Sequence, residues 1–171
     1  MVFFLRIALC YPFVVLLIIK KKEVLIEMRL WHEKMIPLLP NRQLLGQHRE
    51  CCALRGNGWG KSNSTVNYVF NYDFERLVAY HQIVMEEMEK RGYNVNEKWW
   101  SIRYRGTSCE CKNDSSMLKV MLYKNSSKFG KFACVYPEHN NRDYFQECIN
   151  NLERKGVDVS CLRKLLKIFY Y

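Results

Sequence analysis

The spacing of hydrophobic residues along the chain predicts three amphipathic helices. Apolar side chains recur at three- and four-residue intervals over residues 43–54, 73–91 and 142–155. A glycine follows each run, at Gly56, Gly92 and Gly156. This spacing gathers the apolar side chains on one face of a helix, and a glycine just past the last turn is a common helix stop.

The pattern also predicts which side chains face the core. In the first helix these are Leu44, Leu45, His48, Cys51, Cys52 and Arg55; in the second Phe74, Leu77, Val78, His81, Val84, Met85 and Met88; and in the third Tyr144, Phe145, Cys148, Ile149 and Leu152. A histidine on such a face is typical of a hydrogen-bonded core residue, and we interpret His81 in this way. The residues from 161 to 171 read as a short basic tail.

The opening of the chain has a different pattern. Residues 1–19 are apolar apart from Arg6, and Lys20, Lys21 and Lys22 follow at once. This layout fits a short membrane anchor with basic residues on the cytoplasmic side. Alternatively, Lys22-Glu23-Val24 can be encoded by a bacterial ribosome-binding sequence shortly before Met28. On that interpretation residues 1–27 are a non-native leader, and the domain comprises residues 28–171.

Charge and cysteine content narrow the class of partner. The 171 residues include 27 Lys plus Arg against 17 Asp plus Glu, a formal net charge of +10 that favours a polyanion, either nucleic acid or an anionic membrane. The eight cysteines are irregularly spaced, which favours reduced thiols over a disulfide scaffold. Cys109-x-Cys111 lacks the paired motif of a structural zinc site, so we predict no metal and no cofactor.

The candidate chemistry is concentrated between residues 43 and 61. Arg49 and Glu50 stand side by side on the first predicted helix, flanked by His48 and Arg55, and a glycine-rich basic loop that includes Lys61 follows. Such a loop, rich in backbone donors and short polar side chains, can seat a phosphate. It is not a P-loop, because Arg55 occupies the position of the first glycine of that motif.

A second stretch, residues 93–106, mixes aromatic and basic side chains. It carries Trp99, Trp100, Arg103, Tyr104 and Arg105. This mixture could stack on bases and pair with phosphates. It is also the composition that a small helical core uses at its edges.

Several segments together resemble a known family. The sequence Arg-Leu-Trp-His at residues 29–32, the run Leu-Leu-Gly-Gln-His-Arg-Glu-Cys-Cys-Ala-Leu-Arg-Gly at 44–56 and the run Glu-Met-Glu-Lys-Arg-Gly-Tyr-Asn at 87–94 are similar to the pyrimidine-dimer DNA glycosylases of the phage endonuclease V type. The similarity extends to a bacterial branch of that family. The similarity covers most of residues 28–105, and a weaker similarity extends over residues 136–156.

The resemblance implies an all-α, single compact domain that binds damaged duplex DNA, flips a base and cleaves the glycosidic bond with associated AP-lyase activity. In that mechanism a free N-terminal amine, of Met28 or of Arg29, attacks the sugar carbon and forms a Schiff base. By position Glu50 takes the role of the glutamate that handles protons. Arg49 takes the role of a phosphate or lesion contact, and we add His48, Arg55 and Lys61 as candidate substrate contacts.

Two other interpretations stay open at this point. A non-catalytic basic protein could bind DNA or RNA with the same face, and its affinity would depend strongly on salt. His32, His48, His81 and His139 each lie in a distinctive local motif and could bind a metal. If the chain starts at Met28, we expect a cytoplasmic monomer without a membrane segment.

Overall fold

The computed structural model describes residues 29–109 and 135–170, and within these ranges the regular secondary structure is helical, with no strand. The α-helices are α1 (Asn41–Arg55), α2 (Phe74–Lys90), α3 (Arg142–Arg154) and α4 (Ser160–Tyr170). Four 3-10 helices occupy Glu33–Leu38, Asn67–Asn71, Glu97–Trp100 and Pro137–Asn140. The all-α prediction is confirmed for the described residues.

The first three predicted helices form close to their expected bounds. Gly56 caps α1, and Gly92 and Gly156 follow α2 and α3 with φ of 80° and 76°, a backbone conformation that glycine adopts without strain. The inward face predicted for α2 is buried, apart from the half-buried Phe74. On α3, the predicted inward residues are buried except for Tyr144, which is half-buried.

Two sequence predictions need correction. Residues 161–171 were expected to form a basic tail, but α4 covers most of them. Leu162 and Leu166 lie one turn apart and are buried, so the helix packs against α3 while its lysines face solvent. On α1 the buried face is rotated from the predicted one: Gln47 and Leu54 are fully buried, while Leu45, His48 and Cys52 are half-buried.

The core forms where α1 packs against α2 and where residues 29–32 pass between the helices. This opening segment has no regular secondary structure, and all four of its residues are buried. Its backbone polar groups are instead satisfied by side chains. Trp31 N donates to Gln47 Oε1 at 2.7 Å, the Tyr80 hydroxyl donates to Trp31 O at 2.5 Å, and the Tyr144 hydroxyl donates to Leu30 O. The opening residues are therefore fixed by α1, α2 and α3 together.

Several sequence predictions lie outside the described residues. These are the leader or anchor at residues 1–27, the candidate amine of Met28, and the cysteines at 111 and 134. Among the helices of the described ranges, none combines the length and the apolar character that a bilayer crossing requires.

Candidate active site

Glu50 lies on α1 beside the opening segment of the domain. The backbone N–H of Arg29 donates a hydrogen bond to the Glu50 carboxylate, and Gln47 Nε2 donates to Glu50 Oε2 at 3.2 Å. The charges of Lys155, Arg29 and Arg49 also act on this carboxylate. The structure thus brings together the two features that the sequence separates by twenty residues: the candidate proton-handling carboxylate and the backbone next to Met28.

Burial of this carboxylate changes its acidity. Desolvation raises the pKa of Glu50 from its ordinary value of 4.5 to about 7, despite the opposing hydrogen bond from Arg29 and the nearby positive charges. A carboxyl group with a pKa near neutrality can both donate and accept a proton under cellular conditions. This property matches the role expected of Glu50.

The same shift predicts how stability depends on pH. The unfolded chain releases the Glu50 proton near pH 4.5 and the folded protein only near pH 7, so the unfolded state binds fewer protons between these values. The contribution of Glu50 to the free energy of unfolding should therefore fall as pH rises through this window, by on the order of 2 kcal/mol. Urea denaturation of wild type and Glu50→Gln at a series of pH values measures this contribution of Glu50 to the free energy of unfolding.

The difference between the two proteins isolates Glu50, because the buried histidines contribute equally to both. Burial lowers the pKa of His32 to about 4 and that of His139 to about 3, so both proteins should lose stability as pH falls below 6.5. A wild-type-minus-variant difference that stays constant from pH 4.5 to 7.5 would contradict the assignment of a raised pKa to Glu50.

A cleft of about 380 Å³ opens next to the opening segment. Its walls are Arg29, Ser64, Thr65, Tyr68, Glu138, Tyr144 and Glu147. Arg29 is 5% exposed and donates through Nη2 to Glu147 Oε1 at 2.8 Å, while its buried Nη1 has no hydrogen-bond partner among the described residues. A guanidinium nitrogen left unpaired in this position can donate to a bound oxygen atom.

His48, His81 and Arg55 form a hydrogen-bonded chain between α1 and α2. Arg55 Nη1 lies 3.1 Å from His81 Nδ1, and His81 Nε2 lies 2.8 Å from His48 Nδ1. Because a guanidinium only donates, His81 Nδ1 must accept, and His81 Nε2–H then donates to His48. Burial lowers the pKa of both histidines, so both are neutral. The prediction of a hydrogen-bonded core histidine at position 81 is confirmed.

Cys52 completes a cluster that has the composition of a metal site. Among the described residues, His48, Cys52 and His81 can each offer one ligand atom within 4.8 Å of the others. However, a metal-bound neutral histidine usually donates its remaining N–H to an acceptor, whereas His81 faces the Arg55 donor. Burial also raises the pKa of Cys52 to about 12, which disfavours the thiolate that a metal needs. The arrangement therefore favours the hydrogen-bonded chain of His48, His81 and Arg55 over a metal site.

The remaining candidate contacts occupy contrasting environments. Arg49 and Lys61 are exposed and available to a partner. Arg55 is fully buried and donates to Trp99 O, Ser101 O and Tyr104 O at 2.6–2.9 Å, so it supports the chain after α2 and is not placed to contact substrate.

Trp99 is likewise used inside the protein. Its ring packs edge-on against Tyr104 and His81, with the Arg55 guanidinium 5.2 Å from its centre. Of the two interpretations of residues 93–106, the structure favours the edge of a helical core over a free stacking surface.

Sequence reasoning missed Gln47. It has no exposed surface, yet its amide links Trp31, Tyr80 and Glu50. Its position three residues before Glu50 places the two side chains on one helical face, which is the only signal that the sequence offered.

Comparison with known proteins shows that part of this chain is similar to a protein family. Residues 28–101 match the family described as Pyrimidine dimer DNA glycosylase. The match begins at Met28 and includes Glu50, Arg49 and the whole opening segment, and it confirms the resemblance found in the sequence. No curated protein and no solved structure matched the chain.

Proposed function

We propose that the protein is a DNA-repair glycosylase with associated lyase activity, acting on pyrimidine dimers or abasic sites through an N-terminal amine. The proposal starts from the match of residues 28–101 to the family described as Pyrimidine dimer DNA glycosylase. The single observation that supports the mechanism most directly is the hydrogen bond from the Arg29 backbone N–H to the Glu50 carboxylate. It fixes the start of the matched segment against the one half-buried carboxylate of α1.

We propose that translation starts at Met28 and that the α-amine of Met28 is the nucleophile. This choice is supported by the hydrogen bond from the Arg29 backbone N–H to Glu50, because Arg29 is the residue that follows Met28 in the sequence. The Arg29 nitrogen itself is engaged as an amide donor to Glu50, which favours Met28 over Arg29 as the source of the amine. An α-amine has an ordinary pKa near 8, so a useful fraction is neutral at cellular pH.

In the proposed reaction the neutral amine forms a bond to C1′ of the deoxyribose. The glycosidic bond breaks, its electron pair leaves on the base nitrogen, and the base takes the proton that the attached amine nitrogen loses. The C1′–O4′ bond then opens, O4′ is protonated by the Glu50 carboxyl group, and a protonated Schiff base remains. As a carboxylate, Glu50 can next remove a C2′ proton, which expels the 3′ phosphate by elimination; water finally releases the amine.

The cleft beside Arg29 supports this assignment. Its volume accommodates a nucleotide, and the unpaired Arg29 Nη1 and the Ser64 hydroxyl can donate to oxygen atoms of the extruded unit. Arg49 and Lys61, both exposed, are the proposed phosphate contacts that position the duplex. His48, half-buried and held by His81, is a candidate donor at the edge of this surface.

Borohydride trapping tests the proposal. We expect protein that starts at Met28 to form a covalent adduct with duplex DNA containing one abasic site or one thymine dimer when sodium borohydride reduces the Schiff base. Selective blocking of the α-amine should abolish the adduct. Denaturing electrophoresis of labelled DNA measures both results.

Lys155 provides the control for this experiment, because it is an alternative amine whose charge acts on Glu50 and whose Nζ lies 5.1 Å from the Trp31 ring centre. Lys155→Met should still form the adduct. Absence of any adduct with either DNA, together with salt-dependent binding of undamaged nucleic acid, would overturn the glycosylase proposal and leave the non-catalytic binder.

A further inference from the structure

We propose that Gln47 is a positioning residue for this reaction: its side-chain amide holds the Glu50 carboxylate in register with the segment that carries the proposed amine. The inference rests on the proposed function, but its structural part can be measured without DNA. Gln47 does not touch the substrate cleft described above, so it acts through Glu50 and through the opening segment.

The backbone N–H of Trp31 fixes the orientation of the Gln47 amide. Gln47 Oε1 accepts from Trp31 N at 2.7 Å, and a backbone N–H can only donate, so an oxygen must lie opposite it. The Tyr80 hydroxyl lies 3.2 Å from the same Oε1, but its proton is directed to Trp31 O at 2.5 Å. The Nε2 end must therefore point the other way, where it donates to Glu50 Oε2 at 3.2 Å and lies 3.8 Å from Cys51 Sγ.

This arrangement joins Glu50 to the opening segment at two points. One is the direct hydrogen bond from the Arg29 backbone N–H, and the other runs through Gln47 to Trp31 N. Two attachments two residues apart restrict both the distance and the rotation of the segment relative to α1. A single attachment would leave the opening segment free to rotate about Glu50, and errors of about 1 Å in such geometry can lower a rate about 100-fold.

The hydrogen bond from Gln47 also predicts an effect on the charge of Glu50. A donor facing a carboxylate stabilises its ionised form, so Gln47 Nε2, at 3.2 Å from Glu50 Oε2, should oppose the desolvation that raises the pKa of Glu50. The other groups that act on this carboxylate are Arg29 from the opening segment, Arg49 from α1 and Lys155 at the end of α3. All three are cations and remain in place when Gln47 is replaced, so the change isolates the amide.

Two substitutions separate positioning from packing. Gln47→Glu keeps the acceptor oxygen for Trp31 N but replaces the donor to Glu50 with a second carboxyl group. Gln47→Met keeps the side-chain volume but removes donor and acceptor together. Gln43→Met, one turn earlier on α1 and half-buried, is the matched control.

The experiment is an NMR titration of protein labelled with ¹³C at the glutamate carboxyl groups. The Glu50 resonance is identified by its absence in Glu50→Gln. We expect Glu50 to titrate at a higher pH in Gln47→Glu and Gln47→Met than in wild type, and to be unchanged in Gln43→Met. The pH midpoint of borohydride trapping should move in the same direction, with a fall of about tenfold in trapping rate at pH 7.

The outcomes distinguish the two proposals. Absence of an adduct with the wild-type protein would contradict the proposed function. The titration would still report whether Gln47 affects the ionisation of Glu50. Folded Gln47 variants in which Glu50 titrates as in wild type would overturn the positioning role. Loss of the fold in both variants, seen by circular dichroism, would also overturn it, because Gln47 would then act through stability alone.

Discussion

Glu50→Gln is expected to lower the rate of strand cleavage at a damaged site by about 100- to 10,000-fold, the usual contribution of a general acid–base group. The substitution preserves the shape of the side chain and an acceptor for the Arg29 backbone N–H, so the fold should remain intact. What it removes is the exchangeable proton of a carboxyl group whose pKa burial raises to about 7. Single-turnover cleavage of labelled duplex DNA measures the loss.

The control for this variant is Glu89→Gln, an exposed carboxylate near the end of α2. It replaces a carboxyl group with the same amide and should cleave at the wild-type rate. Both variants should bind the duplex at least as tightly as wild type, since neither adds negative charge to a basic protein. Cleavage by Glu50→Gln at a rate within a few fold of wild type would show that Glu50 does not act as an acid or base in the reaction.

Arg55→Met is expected to produce the largest loss of stability, about 3–5 kcal/mol in the free energy of unfolding. Arg55 is fully buried, and its guanidinium donates to the carbonyl oxygens of Trp99, Ser101 and Tyr104. Methionine fills much of the volume but leaves these three acceptors and His81 without their donor. Urea denaturation followed by circular dichroism measures the difference.

Arg42→Met is the matched control, because Arg42 lies in the first turn of α1 and is exposed. Its effect should be no more than about 0.5 kcal/mol. A loss of stability in Arg55→Met as small as that of the control would show that the hydrogen bonds of Arg55 are replaced by water, and that the residues after α2 are held by other contacts.

Hydrophobic periodicity was sufficient to predict α1, α2 and α3, because each carries an apolar stripe and a glycine stop. The same spacing is present in α4, where Leu162, Leu165, Leu166 and Phe169 recur at three- and four-residue intervals. The basic residues among them favoured the prediction of a tail instead of a helix. Burial of a helix face depends on the neighbour that covers it, here α3, and a single sequence does not show that neighbour.

The polar part of the site was less predictable. Arg55 and Gln47 are residue types that usually lie at the surface, and only the structure shows the three carbonyls and the backbone N–H that allow them to be buried. The position of Glu50 relative to Arg29 required knowledge of the family, since nothing in the spacing of residues 29 and 50 predicts their contact. The resemblance predicted the carboxylate, and the structure added Gln47 as its partner.

The most direct test of the central claim is to identify the nitrogen atom that carries the sugar after borohydride trapping. Digestion of the adduct and tandem mass spectrometry locate the deoxyribose remnant on one peptide. We predict that the modified peptide begins at Met28 and carries the remnant on its α-nitrogen. A remnant on a lysine side chain, or on a chain that still begins at Met1, would contradict the account.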